Sequence, residues 1–149
     1  MNVLSKDIAQ FRNIQLKHCS EAQFCNGGHL FAAAFGNKDI QVFNFYTNES
    51  PPQYKCGSHV QKVRSIDWFE HDMGFTSTGH GGEVYMWDLV NMKDGNNRIL
   101  EWTSRRGVQM TSVVNVPGRN LEAYCCGSDG NIFNINQGNE PYEAGATMS

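Results

Sequence analysis

Three stretches of this chain repeat one another in order, and a repeat limits the possible folds more than any composition does. LFAAAFGNKDIQVFNF (Leu30 to Phe45), GFTSTGHGGEVYMWDL (Gly74 to Leu89) and LEAYCCGSDGNIFNIN (Leu121 to Asn136) each give a strand of small residues, a tight turn of glycine or asparagine, and an apolar strand. Aligning the turns makes Phe43, Trp87 and Ile135 equivalent, 44 and 48 residues apart. A unit this short cannot bury its own apolar faces, so copies of it must stack on one another.

Between the repeats the pattern stays β. Almost no segment carries apolar residues at helical spacing; the runs that stand out are short, aromatic or β-branched, and bounded by Gly, Asn, Asp or Pro. EAQFC, PQYKC, VRSIDWF, RILEWTS and MTSVVNV join the six strands of the repeats to make eleven candidates. NGGH, GNK, EHDMG, HGG, PGRN and SDG separate them, each with a residue that tolerates positive φ or pre-sets a turn. In EVYMWDL, Val84 and Met86 alternate with Tyr85, Trp87 and Leu89. Both faces of that strand are bulky and apolar, so neither is made for water.

A period in the forties with four short strands per unit is the sequence signature of a WD-repeat propeller blade, a sheet packed between two neighbouring blades. Upstream of the middle unit, SHVQKVRSIDW supplies His59 and then Val63, Ile66 and Trp68, the usual entry into a blade's innermost strand. The expected fold is all-β, with WD40-type β-propeller blades, about three of them, forming an incomplete propeller. Residues 1–18 are expected to be an outer strand of a preceding blade or an N-terminal arm; 19–58 and 59–104 are expected to be blades, and 105–149 a blade with a partial C-terminal tail. A closed propeller needs roughly 240 to 350 residues at about 40 per blade. A three-blade wedge leaves two apolar flanks and open strand edges. The chain is therefore expected to be a piece of a longer product, or a short paralogue whose wedge completes or caps a propeller made by another chain.

The resemblance to WD repeats also implies a hydrogen-bond relay. A buried indole N–H needs an acceptor, since an unpaired buried donor costs roughly 1 to 3 kcal/mol. In such repeats the chain of partners runs from the Trp to a Ser or Thr on the preceding strand, to a His, and to an Asp in the tight turn. Trp87, Ser77 and His59 stand at the first three places, but His80 and Gly81 occupy the positions of the Asp. The third unit has Asp129 without a Trp, and the first has neither. On this reading the blades are held mainly by apolar packing.

IQLKHCSEAQFCNGGHLFAAA (Ile14 to Ala34), followed at blade distance by KVRSIDW (Lys62 to Trp68) and GGEVYMWDL (Gly81 to Leu89), resembles part of the cilia- and flagella-associated protein 57 family, large WD-repeat proteins of motile cilia. Cys19 to Ala34 carries the most specific part of the match, and the likeness is looser from there to about Asn136. The resemblance implies a noncatalytic scaffold in the axoneme, connected with inner dynein arms or regulatory complexes, and partners among other axonemal proteins or a chain that completes the propeller. It transfers no catalytic residue. The fold alone equally allows a cytosolic adaptor in a ubiquitin ligase or trafficking coat.

Composition and motifs exclude other classes. A net charge of −3 is small and of the wrong sign for nucleic acid or acidic lipid. No apolar run approaches the roughly 20 residues that span a bilayer, and MNVLSKDIAQFRN lacks a secretory core, so a cytoplasmic location is expected, to which the family resemblance adds the cytoskeleton of the cilium axoneme. The five cysteines are odd in number and include no C-x-x-C, which indicates neither a disulfide framework nor a zinc ribbon. His18, Cys19, Cys25 and His29 have metal-ligand chemistry but no standard spacing. GHGGE precedes a strand rather than the helix a phosphate loop opens into. Cys125 and Ser128 have no elbow motif or oriented His beside them. No enzyme, cofactor, metal or small-molecule substrate is expected. Contact is expected at polar loops, at Asn37 and Lys38, at Asn48, at Lys93 and Asp94, and at Arg105 and Arg106, since long polar connections lie outside a packed core.

Overall fold

A computed structural model of the chain describes residues 18–44, 54–90, 98–105, 107–119 and 121–136, and the backbone of 142–143. Every element among the described residues is a strand. The first sheet is built from β1 (Cys19–Phe24), β2 (Leu30–Phe35), β3 (Asp39–Asn44) and β4 (Tyr54–Ser58). The second holds β5 (Val63–Trp68), β6 (Gly74–Gly79), β7 (Glu83–Asp88) and β8 (Arg98–Thr103). The third holds β9 (Met110–Asn115), β10 (Glu122–Gly127), β11 (Ile132–Asn136) and the short β12 (Tyr142–Glu143). Each sheet is an antiparallel meander in chain order. These are three blades of an incomplete β-propeller. β1 packs against β5 and β5 against β9, so the first strand of each blade faces the first strand of the next.

The repeat seen in the sequence is a repeat of register. Phe43 pairs with Phe31, Trp87 with Phe75 and Ile135 with Ala123. The turns between these strands also coincide. Lys38, Gly82 and Gly130 take φ of 74°, 84° and 87°, and their N–H groups donate to Phe35, Gly79 and Gly127 carbonyls at 2.8, 3.1 and 3.1 Å. A left-handed residue closes each turn; two are glycine, and the first blade adopts the conformation with lysine.

The apolar residues divide by face. Tyr85, Trp87 and Leu89 belong to a core shared with Ala32, Ile40 and Val42 of the first blade. Val84 and Met86 belong to a second core with Met110, Val113, Ala123 and Phe133 of the third. Strand alternation thus sends one set of β7 side chains to each neighbour. Trp87, Met86 and Val84 are fully buried.

Polar side chains fasten the same interfaces. Between the first and second blades, the Trp68 indole donates to the Gln23 carbonyl at 2.9 Å, and Asp72 accepts the Asn26 and Gly27 N–H groups, each at 2.7 Å. Between the second and third, the Asn115 N–H donates to Asp67 Oδ2 and its Nδ2 to the Asp67 carbonyl, both at 2.7 Å, while Thr76 donates to Asn115 Oδ1 at 2.6 Å. The Gly118 N–H reaches Glu70 at 2.9 Å. Glu70 and Asp72 share one turn, which therefore supplies a carboxylate to both adjacent blades.

Candidate functional site

The middle blade holds a buried polar cluster at its centre. The Trp87 indole donates to Ser77 Oγ at 2.8 Å, and Ser77 Oγ lies 2.6 Å from His59 Nε2. His59 arrives from the connection between β4 and β5; its N–H is fixed by the Lys38 carbonyl of the first blade at 2.9 Å. Its ring leans on Tyr85, with centroids 4.6 Å apart. Burial pushes the imidazole pKa below its ordinary value, an effect that outweighs the nearby Glu83.

The turn of this blade has no Asp, and the sequence reading leaves the relay without a carboxylate. The structure brings one from Glu83, the first residue of β7, whose side chain turns back under the turn. Glu83 Oε1 accepts the Gly81 N–H at 3.3 Å and stands 3.3 Å from His59 Nδ1, a contact that becomes an ion pair only when the imidazole is protonated. Glu83 is fully buried. Gly79 makes the room: a Cβ there would lie 1.5 Å from Glu83 Oε1. A strand-initial Glu paired with a glycine four residues earlier is the signal that sequence reading missed, because it sits outside the turn where the carboxylate is expected. The arrangement has no open face, so it can position a blade but offers a substrate no approach.

The residues expected on loops are dispersed. Asn37 and Lys38 are exposed in the β2–β3 turn, where Asn37 Oδ1 accepts the Asp39 N–H at 3.2 Å. Arg105 is exposed between the second and third blades and pairs with Asp129 at 3.0 Å. Asn48, Lys93, Asp94 and Arg106 lie outside the described residues. A cleft of about 420 Å³ runs between the β5–β6 turn and the β9–β10 turn, lined among others by Phe69, His71, Arg119 and Leu121. Its lining mixes apolar and charged groups, with Val116 beside Phe69 and Leu121, and Glu70 beside Arg119. Of the potential metal ligands in the sequence, Cys25 and His29 come together and are joined by Asp72, whereas Cys19 is exposed at the far end of β1. No helix among the described residues is long and apolar enough to cross a membrane.

The backbone of these blades has a close counterpart. The crystal structure of the Cps50 (Swd1) β-propeller domain of Myceliophteria thermophila superimposes on 87% of this chain, and on 38% of that one, with a TM-score of 0.75 at 16% identity. That likeness is one of fold. No family model matches the chain. Its sequence is 34% identical over 115 residues to cilia- and flagella-associated protein 57 A of Tetrahymena thermophila and 37% identical over 108 residues to mouse cilia- and flagella-associated protein 57. The chain is a run of β-propeller blades similar in sequence to a section of cilia- and flagella-associated protein 57. The matches cover 77% and 72% of the chain but only 9% and 8% of those relatives. The chain thus spans less than a tenth of their length. A third relative, cilia- and flagella-associated protein 57 C of Tetrahymena, is 37% identical over 91 residues. The buried His59 cluster ties the β4–β5 connection to β6 and β7 within one blade.

Proposed function

We propose that the chain is a noncatalytic scaffold module of the motile-cilium axoneme, working through protein contacts and associated with the assembly of inner dynein arms or regulatory complexes. The observation that carries this reading is the 34–37% identity to cilia- and flagella-associated protein 57 from a ciliate and a mammal over most of the chain. The polar groups of the middle blade support a structural role, since Trp87, Ser77, His59 and Glu83 face one another in a buried cluster. The blades of the proposal are 19–58, 59–104 and 105–149, and its contact loops include Asn37, Lys38 and Arg105. Its partners are other axonemal proteins, and the remaining blades belong either to a longer product of which this chain is a piece or to another chain.

A tagged copy in a ciliated cell tests the reading. Retention in axonemes after detergent and salt extraction is the expected result. A diffuse cytosolic distribution, with recovery alongside a ubiquitin ligase or coat complex, would replace it with a general adaptor role.

A further inference from the structure

At the junction of the first two blades, three side chains of metal-ligating chemistry converge. Cys25 follows β1, His29 lies in the turn before β2, and Asp72 comes from the β5–β6 turn of the next blade. One ligand atom from each lies within 4.8 Å of the other two. Cys25 Sγ and His29 Nδ1 are 3.4 Å apart. Around a tetrahedral zinc ion, bonds of about 2.3 Å to sulfur and about 2.0 Å to nitrogen set those atoms about 3.5 Å apart. The pair already has the spacing that coordination requires.

The surroundings orient each donor. Asp72 is held by Asn26, whose N–H and Nδ2 both donate to Oδ1 at 2.7 and 2.8 Å, while the Gly27 N–H donates to Oδ2 at 2.7 Å. Oδ2 keeps a lone pair beyond that bond. The Leu30 N–H points at Cys25 Sγ from 3.4 Å. Such outer contacts fix the direction of ligands in metal centres. Gly27 leaves the space between the donors open, because a Cβ there would stand 3.1 Å from His29 Nδ1 and 3.2 Å from Asp72 Oδ2. Cys25 is buried and His29 exposed, so an ion can enter from solvent and keep one water.

We propose that Cys25, His29 and Asp72 bind a zinc ion, with water as the fourth ligand, and that the ion clasps the first blade to the second. A thiolate, an imidazole and a carboxylate suit a borderline-soft divalent ion. On binding, the Cys25 thiol proton passes to solvent, His29 coordinates through neutral Nδ1, and Asp72 adds a carboxylate oxygen. This site is independent of the axonemal reading and stands whichever partner the blades have.

Titration of the whole chain with Co²⁺, after treatment with a chelator, tests the site. The expected result is a sulfur-to-cobalt charge-transfer band that saturates at one equivalent, is displaced by Zn²⁺, and is absent from Cys25→Ser. His29→Gln and Asp72→Asn are expected to weaken Zn²⁺ binding at least tenfold, by analogy with the losses that follow even outer-shell changes. Replacing the exposed thiols, Cys19→Ser with Cys126→Ser, is expected to leave the band intact. No band at one equivalent, a band that survives Cys25→Ser, or one that disappears with Cys19 and Cys126 would overturn the proposal. Should Cys25→Ser fail to fold, the exposed His29 decides: unchanged Zn²⁺ affinity in His29→Gln would equally overturn it.

Discussion

At the scale of residues, the middle blade depends on a few close fits. Gly79 is required by Glu83 rather than by backbone conformation, since its φ is not in the left-handed region and its missing Cβ is replaced by a carboxylate oxygen. Gly79→Ala is expected to destabilise the chain by about 1 to 3 kcal/mol, as overpacking does. Adding Glu83→Ala should return part of that loss, a coupling of about 0.5 to 3 kcal/mol in a double-mutant cycle read from urea unfolding. His59 gives a pH dependence. Its folded pKa lies below the ordinary 6.5, so the unfolded chain binds the proton first as pH falls. The stability due to the neutral ring is complete above 6.5 and is lost as pH drops from there through the folded value. Urea midpoints are expected to fall between about pH 7.5 and 5.5, and His59→Gln to flatten that slope. The adjacent cysteines report the strand's two faces. Burial pushes the Cys125 thiol up to about 12, while Cys126 is exposed. Iodoacetamide at mildly alkaline pH should therefore label Cys126 in the native protein and spare Cys125, as mass spectrometry of digests would show.

At the scale of elements, the blades are joined by side chains at the ends of their first strands. Asn115 ends β9 and makes three bonds to the second blade. Two of the three come from its side chain, so Asn115→Ala is expected to cost about 1 to 3 kcal/mol by leaving Thr76 and the Asp67 carbonyl without their partner, a loss measurable by calorimetry. Much of this level was legible in the sequence. The eleven longer strands were readable because each is short and bounded by turn residues, most with an apolar or β-branched run; Trp87 and its neighbours showed by alternation alone that β7 has two buried faces. The twelfth strand, Tyr142–Glu143, was not separable from the tail, because two residues carry no periodicity. Contacts such as Asp72 with Asn26, or Asp67 with Asn115, join residues 46 and 48 positions apart. They follow from blade stacking geometry, and nothing local to either residue announces them. Glu83 was hidden for another reason: a buried acid at the head of an apolar strand reads as a turn's polar edge until the glycine opposite it is placed in space.

At the scale of the molecule, the described residues form three blades in a row, and the middle one is packed on both faces. Val114 and Ile132, on the outward face of the third blade, are 57% and 46% exposed. They sit where a further blade would stack, in keeping with a chain that spans less than a tenth of its relatives. The arrangement of cores and the place of Trp87 both rest on the middle blade being enclosed by its two neighbours. Nuclear Overhauser contacts measure that enclosure directly. The Trp87 ring is expected to contact methyl groups of Ala32, Ile40 and Val42, and the Met86 methyl those of Met110, Val113 and Ala123, with no exchange between the two sets. Contacts from both side chains to a single neighbour, or from Trp87 to none, would contradict the account.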